Sequence, residues 1–219
     1  MTKKSLAILW DLDGTITDTK ACHFDTWKAV LRKHGHDLNP DVYDANFGRN
    51  TRTIVPLFLG FQPEEALFEQ MMREKADLFR ERAPKEVNLI PGVEGWLASA
   101  QQLGIPQAIA SSSSLKSINV MVSAFKLRGY FSALVSGARM SAKPEPEVFL
   151  AAANELGREP GDCLVIEDSV PGVQAAKNAG MACIAVATTW PRSDLSQADA
   201  VVDDFTQPLS PLLKTLSLI

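Results

Sequence analysis

The stretch Trp10-Asp11-Leu12-Asp13-Gly14-Thr15-Ile16-Thr17-Asp18 decides how this chain folds, because it ends a short apolar run that begins at Leu6. An apolar run followed by a Gly/Thr turn is typical of a strand buried on both faces. Asp11 and Asp13 then stand at the carboxyl end of that strand, where open parallel sheets bind ligands. We predict that Asp11 can attack an electrophile while Asp13 handles protons. An acidic loop that only caps the strand is the alternative interpretation.

Composition excludes several classes of function. The 219 residues, 46% of them hydrophobic, allow one large domain or a domain with an inserted module. A net charge of −4 argues against a nucleic-acid partner, and no apolar run is long enough for a membrane span or a signal peptide. The three cysteines have no paired spacing, which favours reduced thiols and a cytoplasmic location. We expect a monomer or a weak homodimer.

The periodicity of the sequence changes along the chain and thereby predicts its organisation. Residues 18–86 show helical spacing without a confident strand, and the longest helix is predicted over residues 63–82. From residue 87 strands and helices alternate, which indicates a parallel sheet with crossover helices. The predicted fold class is α/β: a doubly wound, Rossmann-like core formed by residues 1–17 and 87–219, with an inserted all-helical domain at residues 18–86.

Three later predicted strands end near polar side chains suited to phosphoryl chemistry. Ser111 can hold phosphate oxygens together with the N–H groups of a helix start. Pro144 favours an extended Lys143, whose ammonium group can then be aimed. Glu167 and Asp168 suit a magnesium site beside the first pair of acids. Each residue alone also fits a helix cap, a surface lysine or an acid at a helix N-terminus, but their occurrence at successive strand ends favours one site.

Together these motifs resemble the haloacid dehalogenase superfamily of phosphotransferases, in its branch of β-phosphoglucomutases and related phosphatases. The resemblance covers essentially the whole chain and rests on residues 11–18, Ser111, residues 143–146 and residues 167–172. The helical insert is similar to the cap domain of that family. The resemblance therefore implies a phosphoryl-transfer enzyme that acts on a small phosphorylated substrate.

The resemblance also implies a role for each residue at the strand ends. Asp11 is the implied acceptor of the phosphoryl group, and Asp13 the implied general acid and base. Ser111 and Lys143 are the implied holders of the phosphate. The implied cofactor is Mg²⁺, and its implied ligands are acidic residues: Asp11, Asp13 through its main-chain carbonyl, Asp168, and Glu167 next to them.

Substrate choice is expected to depend on the helical insert. His23 and Lys75 resemble cap residues of the β-phosphoglucomutases, while Arg49 and Arg52 lie in the loop where that family grips a distal phosphate. Ser112, in the serine run, completes the predicted substrate-binding residues. A histidine packed in the core and a lysine that reaches solvent are the alternatives for His23 and Lys75.

We expect a magnesium-dependent phosphohydrolase with an aspartyl-phosphate intermediate. The expected substrate is a small phosphorylated metabolite of the sugar-phosphate class. The first alternative is a β-phosphoglucomutase-type isomerase, which uses the same residues. The run Ser113-Ser114-Leu115 favours the phosphatase, because the mutases typically carry a lysine and an asparagine just after their serine motif. The second alternative is a non-catalytic phosphate-sensing module, which has no need of a nucleophile beside an acid/base.

Overall fold

The computed structural model describes residues 6–47 and 51–219, and the chain divides into two compact units. One unit combines the chain up to Asp18 with Leu89–Ile219, and the other is Thr19–Asn88. Within the described residues, no helix has both the length and the apolar character that a bilayer crossing requires.

The larger unit is built on a parallel sheet. The strands of the described chain are β1 (Ala7–Trp10), β2 (Thr17–Asp18), β3 (Asn88–Leu89), β4 (Gln107–Ser111), β5 (Ala133–Ser136), β6 (Cys163–Glu167), β7 (Ala182–Val186) and β8 (Ala200–Val202). Six of them form one sheet in the order β5-β4-β1-β6-β7-β8, and each neighbouring pair is parallel. β2 and β3 form a separate two-stranded sheet. Because β1 lies between β4 and β6, the carboxyl ends of these three strands meet at one edge.

Helices lie between the consecutive strands of the large sheet, except between β7 and β8, which turns and irregular chain connect. They are α1 (Lys20–Lys33), α2 (Pro40–Asp44), α3 (Thr51–Leu59), α4 (Glu65–Glu86), α5 (Val93–Gln102), α6 (Leu115–Ala124), α7 (Glu147–Glu155), α8 (Val170–Asn178) and α9 (Leu209–Thr215). The parallel sheet with its alternating helices confirms the predicted α/β, Rossmann-like class. Between α1 and α4 the described residues are helical or irregular, as predicted for an all-helical insert.

The central strands of the sheet are buried, and most of their residues are apolar. Every residue of β1, β4 and β6 is buried, as expected for a parallel sheet covered on both faces. Leu9 and Val165 share one core cluster with Phe149 from α7. This packing fixes the strand ends on which the candidate site is built.

The helical unit has its own core. Trp27 and Leu31 of α1 pack in one cluster with Val55 of α3 and Met71 of α4. The prediction of a helix over residues 63–82 was wrong at both ends, since α4 begins at Glu65 and continues to Glu86. Pro84 lies in the last turn of this helix, where its ring removes one intrahelical hydrogen bond. The preceding residue, Ala83, is fully buried and holds that turn.

Trp10, the last residue of β1, is held by a buried polar network. Its Nε1 donates to Gln107 Oε1 at 3.0 Å, and Gln107 Nε2 donates to the carbonyl of Leu97 at 3.0 Å. Its ring also packs against Phe205, with ring centres 6.1 Å apart. The backbone that leads into Asp11 is thus fixed by the side chain of the residue before it.

Trp10→Phe should destabilise the fold more than the same substitution at Trp190. The substitution leaves the buried side-chain oxygen of Gln107 without its hydrogen-bond donor. This loss should lower the free energy of unfolding by about 1–3 kcal/mol. Trp190 Nε1 is buried and has no hydrogen-bond partner among residues 6–47 and 51–219, so Trp190→Phe orphans no acceptor. Urea unfolding of both variants measures the difference, and equal midpoints would show that the Trp10 hydrogen bond contributes nothing.

Candidate active site

Asp11 and Asp13 follow β1 at the centre of the sheet edge. The Asp11 N–H donates to the carbonyl of Ile166 in β6 at 3.0 Å, which continues the strand pairing by one residue. Asp11 is buried and Asp13 is half-buried. Gly14 then turns the chain with a φ of +91°, and its N–H donates to the carbonyl of Thr17. The chain therefore turns directly after Asp13, and both carboxylates remain at the end of β1.

Lys143 connects two of the predicted site residues. Its Nζ lies 2.6 Å from Asp11 Oδ1 and 2.7 Å from Glu167 Oε1. The lysine side chain is only 9% exposed, and its ammonium group also lies 4.7 Å from the centre of the Phe149 ring. A buried ammonium held by two carboxylates has its position fixed far more tightly than a surface lysine.

Burial and charge shift the titration of these groups. Burial raises the pKa of Asp11 to about 7; Lys143 opposes this shift, whereas Glu167 and Asp13 add to it. Burial lowers the pKa of Lys143, but the charges of Asp11 and Glu167 together outweigh it and leave the pKa above its ordinary value. Lys143 is therefore a permanent positive charge beside a carboxylate that little water can reach.

The side chain of Glu167, the last residue of β6, lies at the N-terminus of α8. Its Oε2 accepts hydrogen bonds from the N–H groups of Asp168 and Ser169 and from the Ser169 hydroxyl, at 2.6–2.9 Å. A Cβ added to Gly172 would overlap the Glu167 carboxylate. The carboxylate can therefore lie here only because a glycine is present in the first turn of the helix. The helix N-terminus favours the negative charge, and Glu167 in turn holds Lys143.

Asp168 is held by two threonines. Thr15 Oγ1 donates to Asp168 Oδ1 at 2.9 Å, and a hydrogen bond from Thr189 reaches the same carboxylate. A Cβ on Gly14 would overlap Asp168 Oδ2, so the glycine allows the loop after β1 to approach the end of β6. Burial raises the pKa of Asp168, and the charges of Glu167 and Asp11 act in the same direction.

The three acids converge as the ligands of a metal ion would. Asp11, Glu167 and Asp168 each offer a carboxylate oxygen, and these oxygens lie within 4.8 Å of one another. Three buried carboxylates face one ammonium group, so a divalent cation would balance the excess negative charge when all three are ionised. Carboxylate oxygens are the ligands that Mg²⁺ prefers. The donor set therefore fits a divalent cation.

The serine run follows β4. Ser111 is 1% exposed, and its Oγ accepts a hydrogen bond from the Ser113 N–H at 3.0 Å. Ser112 is exposed. Ser113 Oγ donates to Asp13 Oδ2 at 2.8 Å. The structure thus places Ser111 and Asp13 on either side of a serine that the sequence analysis had not assigned.

Two of the predicted substrate-binding residues lie together in the helical unit. Lys75 Nζ and His23 Nδ1 are 2.8 Å apart. The His23 ring stacks on Phe79 at 4.3 Å between ring centres, and Lys75 Nζ lies 5.0 Å from the centre of the same ring. Both residues are half-buried. The lysine is therefore a partner of the histidine on an aromatic surface.

Arg52, another predicted cap residue, is paired with acidic side chains of the helical unit. Both terminal nitrogens of Arg52 donate to the carboxylate of Glu65, at 3.0 and 2.7 Å, and one of them also contacts Glu69. Its guanidinium group lies over the Phe68 ring. A distal phosphate would have to compete with these carboxylates. Arg49 lies outside the described residues.

Sequence reasoning missed the residues that support the site from a distance. Thr189 lies in the loop after β7, and no nearby motif marks it as a partner of Asp168. Gly172 lies in one of the motifs that the sequence analysis used. The motif did not reveal that the missing side chain of Gly172 makes room for the Glu167 carboxylate. The signal that could have found it is a glycine three residues into a helix, directly after a strand that ends in acids.

The fold and the acidic, lysine-bearing strand ends define a family of hydrolases. A family model described as haloacid dehalogenase-like hydrolase matches residues 8–186, and the chain belongs to this family. Two relatives illustrate its range. The fructose-1-phosphate phosphatase YqaB of Escherichia coli (strain K12) is 28% identical over 187 residues, which cover 85% of this chain and 98% of that protein. The β-phosphoglucomutase of Bacillus subtilis (strain 168) is 30% identical over 206 residues, which cover 90% of this chain and 88% of that protein.

A solved structure of similar fold was crystallised with phosphate. CbbY from Rhodobacter sphaeroides in complex with phosphate has a TM-score of 0.82 against this chain at 28% identity, covering 92% of this chain and 95% of that chain. The chain is thus an enzyme of the haloacid dehalogenase-like hydrolases, and its relatives include both a phosphatase and a phosphoglucomutase.

Gly172→Ala should impair the site, because the new methyl group displaces Glu167 and releases Lys143 from its anchor. A displacement of about 1 Å near reacting groups can reduce turnover about 10²-fold, measured as phosphate release from p-nitrophenyl phosphate. Gly95 occupies the same third position in α5, and a Cβ there meets nothing within 4 Å. Gly95→Ala should keep full turnover and raise the free energy of unfolding by up to about 1 kcal/mol. Equal turnover in the two variants would contradict the role of Gly172.

Proposed function

We propose that this chain is a magnesium-dependent phosphohydrolase that cleaves a sugar phosphate through an aspartyl-phosphate on Asp11. The observation that carries the proposal is the position of Lys143, whose ammonium group lies 2.6 Å from Asp11 and 2.7 Å from Glu167. A carboxylate that attacks a phosphate dianion is repelled by it. An ammonium group already in contact with that carboxylate is placed to offset this repulsion.

Asp11 is the nucleophile in this proposal. One of its oxygens forms a bond to phosphorus while the bond from phosphorus to the substrate oxygen breaks. Lys143 stays beside the charge that develops on the phosphoryl oxygens, and its burial strengthens this interaction, because little water screens it. Ser111 would hold a phosphoryl oxygen from the adjacent strand end.

Asp13 is the proposed general acid and base. In the first step its proton passes to the oxygen of the leaving alcohol. In the second step the Asp13 carboxylate takes a proton from water as the water oxygen attacks phosphorus, and the Asp11 carboxylate is regenerated with release of phosphate. Asp13 is half-buried, so it can exchange protons with solvent more readily than Asp11.

The proposed cofactor is Mg²⁺. Asp11 and Asp168 would hold it through carboxylate oxygens, with the main-chain carbonyl of Asp13 as a further ligand and Glu167 beside it. When bound, the ion would screen the negative charge of the phosphate and orient it toward Asp11. Thr15 and Thr189 keep the Asp168 carboxylate in one orientation, as partners of metal ligands commonly do.

A sugar phosphate is the proposed substrate class because the names of two relatives refer to sugar phosphates. His23 and Lys75 are the proposed specificity residues, since their side chains form one polar pair on the Phe79 ring. A polar pair beside an aromatic ring suits a sugar, which has both hydroxyl groups and apolar C–H faces. The proposed roles of Arg49, Arg52 and Ser112 depend on a distal part of this substrate.

We also propose a cytoplasmic enzyme that is a monomer or a weak homodimer. Cys22, Cys163 and Cys183 are all free and buried, which suits a compartment where thiols stay reduced.

Asp11→Asn should abolish turnover while the fold is retained, because an amide is not a competent nucleophile. Loss of a covalent nucleophile lowers turnover by about 10⁴-fold or more. The measurement is phosphate release with magnesium, together with the mass of a trapped phosphoenzyme. Asp203→Asn is the matched control, since its side chain is 80% exposed, and it should behave as wild type. Native turnover in Asp11→Asn would refute the assignment.

Asp168→Ala should raise the magnesium concentration required for half-maximal activity, by about tenfold or more. Full activity after exhaustive treatment with a chelator would rule out the metal-dependent mechanism altogether. Asp37, 85% exposed beside Arg32, supplies the control variant Asp37→Ala, for which the requirement should stay at the wild-type value. Magnesium titrations of the three proteins give the comparison.

A β-phosphoglucomutase-type isomerase is the second candidate, favoured by the B. subtilis relative of that name. Both candidates share the aspartyl-phosphate and differ in the acceptor that receives the phosphoryl group. The run Ser113-Ser114-Leu115 departs from the mutase pattern, so we expect hydrolysis. The assay supplies β-glucose 1-phosphate with a trace of the 1,6-bisphosphate and follows glucose 6-phosphate and free phosphate. Rapid isomerisation with little free phosphate would establish the mutase instead.

A further inference from the structure

We infer that Glu147 and Asn178 are positioning residues, which hold the main chain around Lys143 so that its ammonium group stays in place during phosphoryl transfer. The inference rests on the proposed function, since that function gives Lys143 its role beside the phosphoryl group. Its basis is a set of hydrogen bonds to the chain on either side of the lysine. Residues 141–145 are called the Lys143 segment below.

Glu147, the first residue of α7, holds the Lys143 segment at its start. Its Oε2 accepts a hydrogen bond from the Ser141 N–H at 2.8 Å, and its Oε1 accepts one from the Ser141 hydroxyl at 2.7 Å. Hydrogen bonds to an ionised carboxylate are stronger than those between neutral groups. Both oxygens of Glu147 are therefore engaged by one residue, which lies two positions before Lys143.

Asn178, the last residue of α8, holds the segment on the other side of the lysine. Its Nδ2 donates to the carbonyl of Pro144 at 2.9 Å. Between these two anchors the segment closes a turn, in which the Glu145 N–H donates to the carbonyl of Ala142 at 3.0 Å. Lys143 lies within this turn, so the direction in which its side chain leaves the main chain is fixed from both sides.

The anchors lie at the surface, whereas the group that they position is buried. Ser141, Glu147 and Asn178 are exposed, while the side chain of Lys143 is 9% exposed. Hydrogen bonds at a surface contribute little to the free energy of unfolding, because water can replace either partner. The effect of these anchors should therefore be found in the position of the lysine and not in the stability of the fold.

The main chain of Lys143 matters most while Asp11 is bonded to phosphorus. In the free enzyme both Asp11 and Glu167 hold the ammonium group. Once an Asp11 oxygen has formed its bond to phosphorus and the substrate alcohol has left, Asp11 no longer carries a negative charge. Its attraction for the ammonium group is then weaker. Glu167 and the anchored segment have to keep Lys143 beside the phosphoryl oxygens.

The test compares kcat for p-nitrophenyl phosphate, the midpoint of thermal unfolding, and amide hydrogen exchange of the Lys143 segment without substrate. Glu147→Ala should lower kcat about 10-fold or more, since a displacement of about 1 Å near reacting groups can reduce turnover about 10²-fold. Exchange in the segment should become faster. Glu147→Gln keeps the length of the side chain and one acceptor oxygen, and it should give an intermediate kcat.

Two further variants separate positioning from stability. Ser141→Ala should lower kcat about 3-fold, and adding it to Glu147→Ala should cause no further loss, because the acceptor of the hydroxyl is already absent. Asn178→Ala should lower kcat about 3- to 10-fold. Alanine favours a helix more than asparagine does, so Asn178→Ala should leave the midpoint of unfolding unchanged or raise it. A purely structural role would lower the midpoint instead.

Glu145→Ala is the matched control, because it removes an exposed acid from the same segment and should keep the wild-type kcat. Wild-type kcat in Glu147→Ala and Asn178→Ala, or unchanged exchange, overturns the inference while the proposed function stands. Equal losses in Glu147→Gln and Glu147→Ala, with none in Ser141→Ala, would assign the effect to the charge at the start of α7 and also overturn it.

If Glu147→Ala does not fold, Ser141→Ala and Asn178→Ala decide the matter, since wild-type kcat in both overturns the inference. A wild-type protein that releases no phosphate from any phosphorylated substrate overturns both the inference and the proposed function.

Discussion

The contact of the Lys143 ammonium group with Asp11 and Glu167 is the interaction on which the rest of the site depends. Three carboxylates buried at one sheet edge repel one another, and without a cation this arrangement would disfavour the folded state. Lys143 offsets part of the repulsion, and the N–H groups of Asp168 and Ser169, just before α8, offset more by donating to Glu167. The charges at this sheet edge are thus held by ordinary structural means: a helix N-terminus, a glycine and a buried lysine.

The same edge shows why the functional groups come from different strands. A single strand end can present Asp11 and Asp13, but the partner of each lies elsewhere in the chain. Asp11 contacts Lys143, whereas Asp13 contacts Ser113. The two carboxylates are therefore held by separate loops, although the charge of Asp13 still acts on Asp11.

Much of this arrangement could be predicted because buried parallel strands appear in a sequence as short apolar runs. The ends of such runs located Asp11, Lys143 and Asp168, and the structure brings these three residues together. The contacts that refine the site could not be predicted. The hydrogen bond from Thr189 to Asp168 and the bidentate pairing of Arg52 with Glu65 depend on side-chain geometry between residues far apart in the chain. The end of α4 was misplaced because tertiary packing, here the burial of Ala83, can carry a helix past a residue that disfavours it.

The order of the strands has a consequence for how this protein matures during synthesis. β1 leaves the ribosome before the other strands of the large sheet. The two strands that pair with it, β4 and β6, follow much later in the chain. The helical unit, by contrast, closes within one continuous segment, Thr19–Asn88. Segments with local contacts form early, while distant pairings must wait for the whole chain between them. Asp11, the proposed nucleophile, is therefore synthesised well before Lys143 and Glu167, the two residues that its site depends on.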